Sequence, residues 1–465
     1  MNAQREESDL IGSRGVPPDV YFGIHTLRAR DNFPLTGVPL SAHPELVRAL
    51  ASVKEAAALA HGELATLPAA RARAIVAACR EIRAGGLRDQ FVVDVFQGGA
   101  GTSSNMNVNE VIANRALELL GHPRGAYEHL HPNDDVNRGQ STNDVYPTAV
   151  KLALRDAAGR LMDGMSVLAN ALTDRGGAFA KTYKLGRTQL QDAVPMTLGH
   201  EFDVFALTVR DDAVLVQRAA EALCEVNLGG TAIGTGLNAD PGFGRAVIVH
   251  LAAVTGAPVH QARDLMESTQ GMGAFLQLSG AVRQFALRLS KICNDLRLLG
   301  SGPTAGLGEI RLPALQAGSS IMPGKVNPVV PEAVNQVCFD VFGADAAVSM
   351  AAQAGQLQLN AFEPLIAHLL LNSLNRLDSA CRLLAERCVL GIEANEARLR
   401  DLVERSPGLA TALNPVLGYQ RTTDLARRSL LECRSVRELA GESGLLTDEQ
   451  IDVLLDHERL ARPEL

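Results

Sequence analysis

The chain has 465 residues, 46% hydrophobic and 21% charged, a globular composition that excludes a disordered chain. A net charge of −8, no Trp, five Tyr and thirteen Phe argue against a general nucleic-acid or base-stacking binder, which needs a basic surface and aromatic platforms. At about 150 residues per domain, the length points to about three domains.

Taken in chain order, Met1 to Asp9 is polar and no apolar run follows it, so no signal peptide is expected. The stretch to about Leu40 is rich in Gly and Pro and reads as loop. Pro44 to Leu87, rich in Ala, Leu, Glu and Arg, reads as helices. Between Gly98 and Asp144, small polar turn formers flank short helices. From Tyr146 to about Asn395 the apolar residues recur at three- and four-residue steps, as in Leu154, Leu161, Met165, Leu168 and Leu172. The segments 152–172, 200–228, 272–300, 331–360 and 363–392 read as helices of about 30–45 Å at 1.5 Å per residue. Helices that long cannot cover their apolar faces alone and predict a bundle shared between subunits. Strand-like alternation is nearly absent, so the fold class is all-α. The last 70 or so residues form a smaller unit, where Ser435/Glu438 and Thr447/Gln450 have the spacing of capping boxes.

No apolar window approaches the roughly 18 residues of a membrane span. None of the seven cysteines forms a CxxC pair, and most sit in apolar segments, which predicts buried reduced thiols and a cytoplasmic protein. No HExxH or similar spacing marks a metal site.

Three polar clusters interrupt the helical pattern: Gly98 to Asn107, with Thr102-Ser103-Ser104-Asn105; Gln140-Ser141-Thr142-Asn143-Asp144; and Gly186-Arg187-Thr188-Gln189-Leu190-Gln191-Asp192. Neutral hydroxyl and amide donors grip a carboxylate directionally. Each cluster alone is also accounted for by helix capping. Three of them at the ends of long helices favour a shared site. A fourth stretch, Gly318-Ser319-Ser320-Ile321-Met322-Pro323-Gly324-Lys325-Val326-Asn327-Pro328, reads as a loop able to close over a ligand. A serine in it could act as a base if backbone N–H groups and the Lys325 ammonium stabilise its alkoxide. Lys325, the one cation of the loop, suits a substrate carboxylate, with Asn327 beside it.

The stretch GSSIMPGKVNP resembles the signature of the fumarase/aspartase superfamily, and the resemblance runs from Glu7-Ser8-Asp9-Leu10-Ile11-Gly12 to Leu445-Leu446-Thr447-Asp448. It implies three domains (1–141, a long-helix bundle over 142–395, and 396–465) and a homotetramer whose sites draw on three chains. Gly23-Ile24-His25-Thr26, Gly186 to Met196 and Asn327-Pro328-Val329-Val330-Pro331-Glu332 are similar to the aspartase branch. His131-Pro132-Asn133-Asp134-Asp135 looks as much like fumarase, where it forms a secondary carboxylate spot. His25 and Arg28 are read as structural supports. The implied reaction is the elimination of ammonia from L-aspartate to fumarate through a Cβ carbanion, the aci-carboxylate. The resemblance implies Ser319 as base. It also implies Thr102, Ser141, Thr142 and Ser320 as donors to that dianion, Lys325, Asn327 and Thr188 on the α-carboxylate, and Asn143 and Gln189 at the amino group. No cofactor is implied as obligatory, while a divalent cation activates some members; no nucleic-acid or membrane partner is implied.

Gln189 separates the chemistries. Fumarases of the family place a His there, paired with a carboxylate matching Glu332, and Gln cannot titrate. Hydroxide leaves poorly without an acid, whereas ammonia leaves an ammonium as a neutral molecule. Glu332 is then free to neutralise the substrate ammonium. The competing readings are a class II fumarase, a lyase for a substituted aspartate, and an inactive lyase-fold structural protein.

Overall fold

The protein, seen as a computed structural model, is described over residues 4–461; the outer ends of the first and third expected domains, 1–3 and 462–465, lie outside the described residues. Among the described residues there are seventeen α-helices, five of them with 25 residues or more: Thr142–Ala178, Leu198–Ala222, Gly273–Leu299, Val329–Gln353 and Glu363–Arg387. The long-helix expectation holds with ends shifted by up to ten residues. The strands amount to four two-stranded sheets. No helix among the described residues is long and apolar enough to cross a membrane.

The residues cluster into two compact units, each assembled from separated stretches of chain. The first comprises Met1–Met162, Val214–Gln284 and Phe339–Leu377. Its centre is the helix Pro44–Glu63, which packs against the helices Ala69–Arg83, Thr102–Leu119 and Phe243–Thr255. Proline at its start and a run of alanines explain both its onset and its close packing. Its Glu55, buried, is met by Arg80 at 2.7 Å and Arg83 at 2.5 Å. The antiparallel pair Arg5–Asp9 and Gly12–Val16 and the helix Ile24–Asn32 occupy the stretch read as loop. Glu110 accepts hydrogen bonds from the backbone N–H groups of Gly23, His25 and Thr26 at the start of that helix. Arg28 pairs with Asp9 at 2.8 Å, which ties that helix to the first strand.

The second unit comprises Asp163–Ala213, Phe285–Cys338 and Asp378–Leu465. It contains the antiparallel hairpin Tyr183–Thr188 and Gln191–Thr197. Leu185 from the hairpin joins a core with Val403, Leu409, Leu413, Val436 and Leu439. Both capping boxes form as their spacing predicts, at Ser435 with Glu438 and at Thr447 with Gln450. All seven cysteines are free; six are buried and Cys433 is exposed.

Candidate active site

In the first unit two helix starts converge. Thr102 opens the helix Thr102–Leu119 and Thr142 opens Thr142–Ala178, and their hydroxyl oxygens lie 3.4 Å apart. Helix N-termini carry unsatisfied N–H groups and a partial positive charge, so two meeting at one point favour an anion. Gly101, which precedes Thr102, has φ +89°, and a Cβ there would lie 2.4 Å from the Tyr146 ring. Only glycine satisfies both the left-handed backbone and that approach. The Thr102 hydroxyl donates to the Gly99 carbonyl at 2.7 Å.

Beneath the two threonines lies a layer of amides. Asn105 Nδ2 donates to Thr142 Oγ1 at 3.1 Å and to Asn137 Oδ1 at 3.2 Å. Asn109 Nδ2 donates to the same Asn137 oxygen at 3.2 Å. Lys54, with no exposed surface, donates from Nζ to Asn137 Oδ1 at 2.7 Å and to Gln140 Oε1 at 3.0 Å. Burial pushes the Lys54 ammonium down to about 7, against the pull of Asp144. Asp144, also fully buried, is pushed up by burial to about 6; the N–H groups of Ser141, Gly229 and Thr231 donate to it and hold it down. Asn143 Nδ2 donates to the Ala232 carbonyl at 2.8 Å, and Asn143 N–H donates to Ser141 Oγ at 3.2 Å. Of the predicted site residues, Thr102, Ser141, Thr142 and Asn143 are therefore brought together here, with Thr102 exposed and the other three half-buried.

In the second unit the third polar cluster forms a hairpin tip rather than a helix end, which corrects the expectation for it. Thr188 pairs with Gln191, and the two residues between them, Gln189 and Leu190, have φ +54° and +65°. Two positive φ values make a type I′ turn, a place favouring Asn-Gly. Neither Gln nor Leu is suited to it, so the turn holds strain of the kind that collects at functional sites. The base of the hairpin is fixed by charge: buried Lys184 lies 2.6 Å from Glu201 and 2.9 Å from fully buried Glu309, and Arg187 lies 2.6 Å from Glu309.

The signature loop is also in the second unit. The Ile321 and Met322 N–H groups donate to Ser319 Oγ at 3.1 and 2.9 Å. These two donors supply part of what a serine alkoxide needs. Gly318 N–H donates to the Lys325 carbonyl at 2.9 Å, and Asn327 Nδ2 donates to the Gly318 carbonyl at 2.9 Å, which closes the loop on itself. Ser320 and Lys325 are exposed, and Lys325 Nζ has no hydrogen-bond or ion-pair partner among the described residues. No hydrogen bond or ion pair joins the hairpin tip to this loop among the described residues.

A separate cavity of about 710 Å³ in the first unit is lined by His25, Arg28, Ser103, Tyr127, His131 and Asn133 among others. His131 Nδ1 accepts from the Asn133 and Asp134 N–H groups, so the segment that resembles fumarase forms one wall of it. Among the described residues no group of three or more His, Cys, Asp or Glu side chains is placed to hold a metal ion.

Sequence reasoning missed Lys54, Asn109 and Asn137. A signal was present: Val47, Leu50, Lys54 and His61 fall at three-, four- and seven-residue steps on one helix, a covered stripe with a cation in it.

A family model described as "Lyase" matches residues 12–343, and one described as "Fumarase C C-terminus" matches residues 409–462. An aspartate ammonia-lyase of Pseudomonas canavaninivorans is 54% identical over 462 residues, which is 99% of this chain and 98% of that one. Among solved structures, a fumarate lyase:delta crystallin of Brucella melitensis bound to cobalt is 55% identical, with a TM-score of 0.97 over 99% of this chain and 100% of that one. A recombinant class II fumarase of Schistosoma mansoni is 35% identical, with a TM-score of 0.94 over the full length of both chains.

Proposed function

The chain belongs to the fumarase/aspartase family of lyases, and we infer from that membership that it is a carbon–nitrogen lyase, eliminating ammonia reversibly from L-aspartate to give fumarate. The observation that carries this is the full-length likeness to an aspartate ammonia-lyase. Gln189 supports it, because an amide at the strained hairpin tip can hold an amino group but cannot protonate a departing hydroxide.

The chemistry distributes over the groups described above. Ser319, as alkoxide, takes the Cβ proton and becomes the neutral hydroxyl, with the Ile321 and Met322 N–H groups favouring its charged form beforehand. The electron pair left on Cβ delocalises into the β-carboxylate, giving a dianion that Ser141, Thr142 and Ser320 stabilise by donating hydrogen bonds, joined by Thr102 once its hydroxyl turns from the Gly99 carbonyl. Lys325, Asn327 and Thr188 hold the α-carboxylate, and Asn143 and Gln189 hold the amino group. The Cβ pair then forms the double bond as the C–N pair leaves on nitrogen, so ammonia departs neutral. Glu332, half-buried in the first turn of Val329–Gln353, is the carboxylate assigned in this reading to offset the substrate ammonium. No step draws on a resident cofactor, and any divalent cation acts as an activator only.

Self-association as a homotetramer is supported by the long helices, which leave large apolar side chains in the open: Leu207 on Leu198–Ala222, Leu287 on Gly273–Leu299, and Phe339 and Met350 on Val329–Gln353. The six buried free thiols accord with a reducing, cytoplasmic setting.

The deciding experiment follows ultraviolet absorbance of fumarate with L-aspartate and L-malate in parallel. Absorbance rising with aspartate alone, with ammonia in equal amount, is the expected result. Turnover of malate alone makes the chain a hydro-lyase, and silence with both points to a substituted aspartate or a non-catalytic role.

A further inference from the structure

A fully buried ammonium is costly, because an apolar side chain of similar volume would fill the same space without the desolvation penalty. Lys54 is such a group, in the middle of the helix Pro44–Glu63, and two of its N–H donors reach Asn137 Oδ1 at 2.7 Å and Gln140 Oε1 at 3.0 Å. Both acceptors belong to the turn that leads into Ser141 and Thr142.

The consequences can be followed bond by bond. Asn137 Oδ1 accepts from three donors, Lys54, Asn105 and Asn109. Rotating that amide would turn its NH2 toward three donors, so its orientation is fixed. Its Nδ2 donates to the Gln140 carbonyl at 3.1 Å, and Gln140 Nε2 donates to the Val136 and Arg138 carbonyls, which ties the turn together. Asn105, whose NH2 must face Asn137 Oδ1, presents that same group to Thr142 Oγ1. A hydroxyl that accepts on one side has its own proton left to donate on another. The helix also braces the turn seven residues on, where His61 Nε2 lies 2.8 Å from the Arg138 carbonyl.

We propose that Lys54 is a positioning residue for the elimination: through Asn137 and Asn105 it sets the Thr142 hydroxyl to donate to the β-carboxylate as negative charge accumulates there. The inference rests on the functional reading given above, and it goes beyond it in naming a residue that touches no substrate.

The test compares Lys54→Met with the unaltered protein, each first shown to be a folded oligomer by light scattering and circular dichroism. Steady-state kinetics with L-aspartate give kcat and KM. Binding of 2-amino-3-nitropropanoate, whose nitronate form mimics the charge and shape of the aci-carboxylate, reports stabilisation of the dianion. The expected result is a fall in kcat of about 100-fold, a KM within threefold of the original, and nitronate affinity weakened by about the same factor as kcat. A merely structural lysine would lower thermal stability without moving nitronate affinity per folded site. Folded Lys54→Met with kcat and nitronate affinity within threefold of the original overturns the proposal. If Lys54→Met is insoluble, Lys54→Gln carries the test. It can reach one of the two amides but not both, so kcat falls at least tenfold at constant KM; a kcat within threefold overturns the proposal there too. Unaltered protein inert toward L-aspartate removes the functional reading and this inference with it, whereas active protein with unaffected variants removes this inference alone.

Discussion

The amide layer under Thr102 and Thr142 and the loop Gly318–Asn327 carry donors of the same kinds but hold them differently. In the first, each donor is set by a neighbouring side chain: Lys54 on Asn137, Asn137 on Asn105, Asn105 on Thr142. In the second, the backbone does the holding, and Ser320 and Lys325 stand exposed. The first arrangement suits stabilisation of charge that appears only in the transition state, since the donors do not reorganise. The second suits a segment that must admit substrate before enclosing it. The general lesson is that donors of the same kinds can be held rigidly by side-chain support or left to yield by backbone support.

The comparison can be broken most directly at the loop. Ser319→Ala removes the proposed base and is expected to lower kcat by about 10⁴-fold, at the upper end of general-base effects, while leaving the oligomer whole. Retained fumarate production in that variant would move the proton transfer out of the loop. On the rigid side, Thr142→Val removes one of the donors proposed for the developing dianion and should cost about 10²–10³-fold in kcat with little change in KM. A rise in KM at constant kcat would instead make Thr142 a ground-state contact.

Stability should also respond to pH through a buried carboxyl elsewhere in the first unit. Burial pushes the Glu363 carboxyl up to about 8, with Lys151 opposing the shift. The folded chain therefore keeps a proton there that the unfolded chain releases near 4.5, so folding stability falls as pH rises from about 4.5 to about 8. Glu363→Gln should flatten that part of the profile, seen as thermal midpoints that no longer drop between pH 5 and pH 8. The smallest effect belongs to the hairpin tip. Leu190→Gly relieves a left-handed residue and should raise stability by about 0.5–1 kcal/mol in urea unfolding, with activity measured alongside. Unchanged stability would mean that the tip holds no strain.

Much of this was legible in the residues. The signature loop, the two threonine clusters and the long helices could be read because each is local, a matter of spacing within a few turns. The hairpin Tyr183–Thr197 was missed because Tyr-Lys-Leu-Gly-Arg-Thr lacks alternation, its Lys184 and Leu185 both being buried. That burial depends on Glu201, Glu309 and the core around Val403, all distant in sequence. Lys54 was missed for a related reason. The helix Pro44–Glu63 is covered on nearly every side, so the signal in the stripe Val47, Leu50, Lys54 and His61 gains its meaning only from Asn137 and Gln140, distant in sequence.

Gly101 and Tyr146 have a consequence for how this chain can change. The ring fills the space that any side chain at 101 would need, and the backbone at 101 lies where side chains are strained. A single substitution at 101 meets both obstacles at once, and a smaller residue at 146 removes only one of them. The two positions are thus sterically coupled, and neither can be changed without regard to the other.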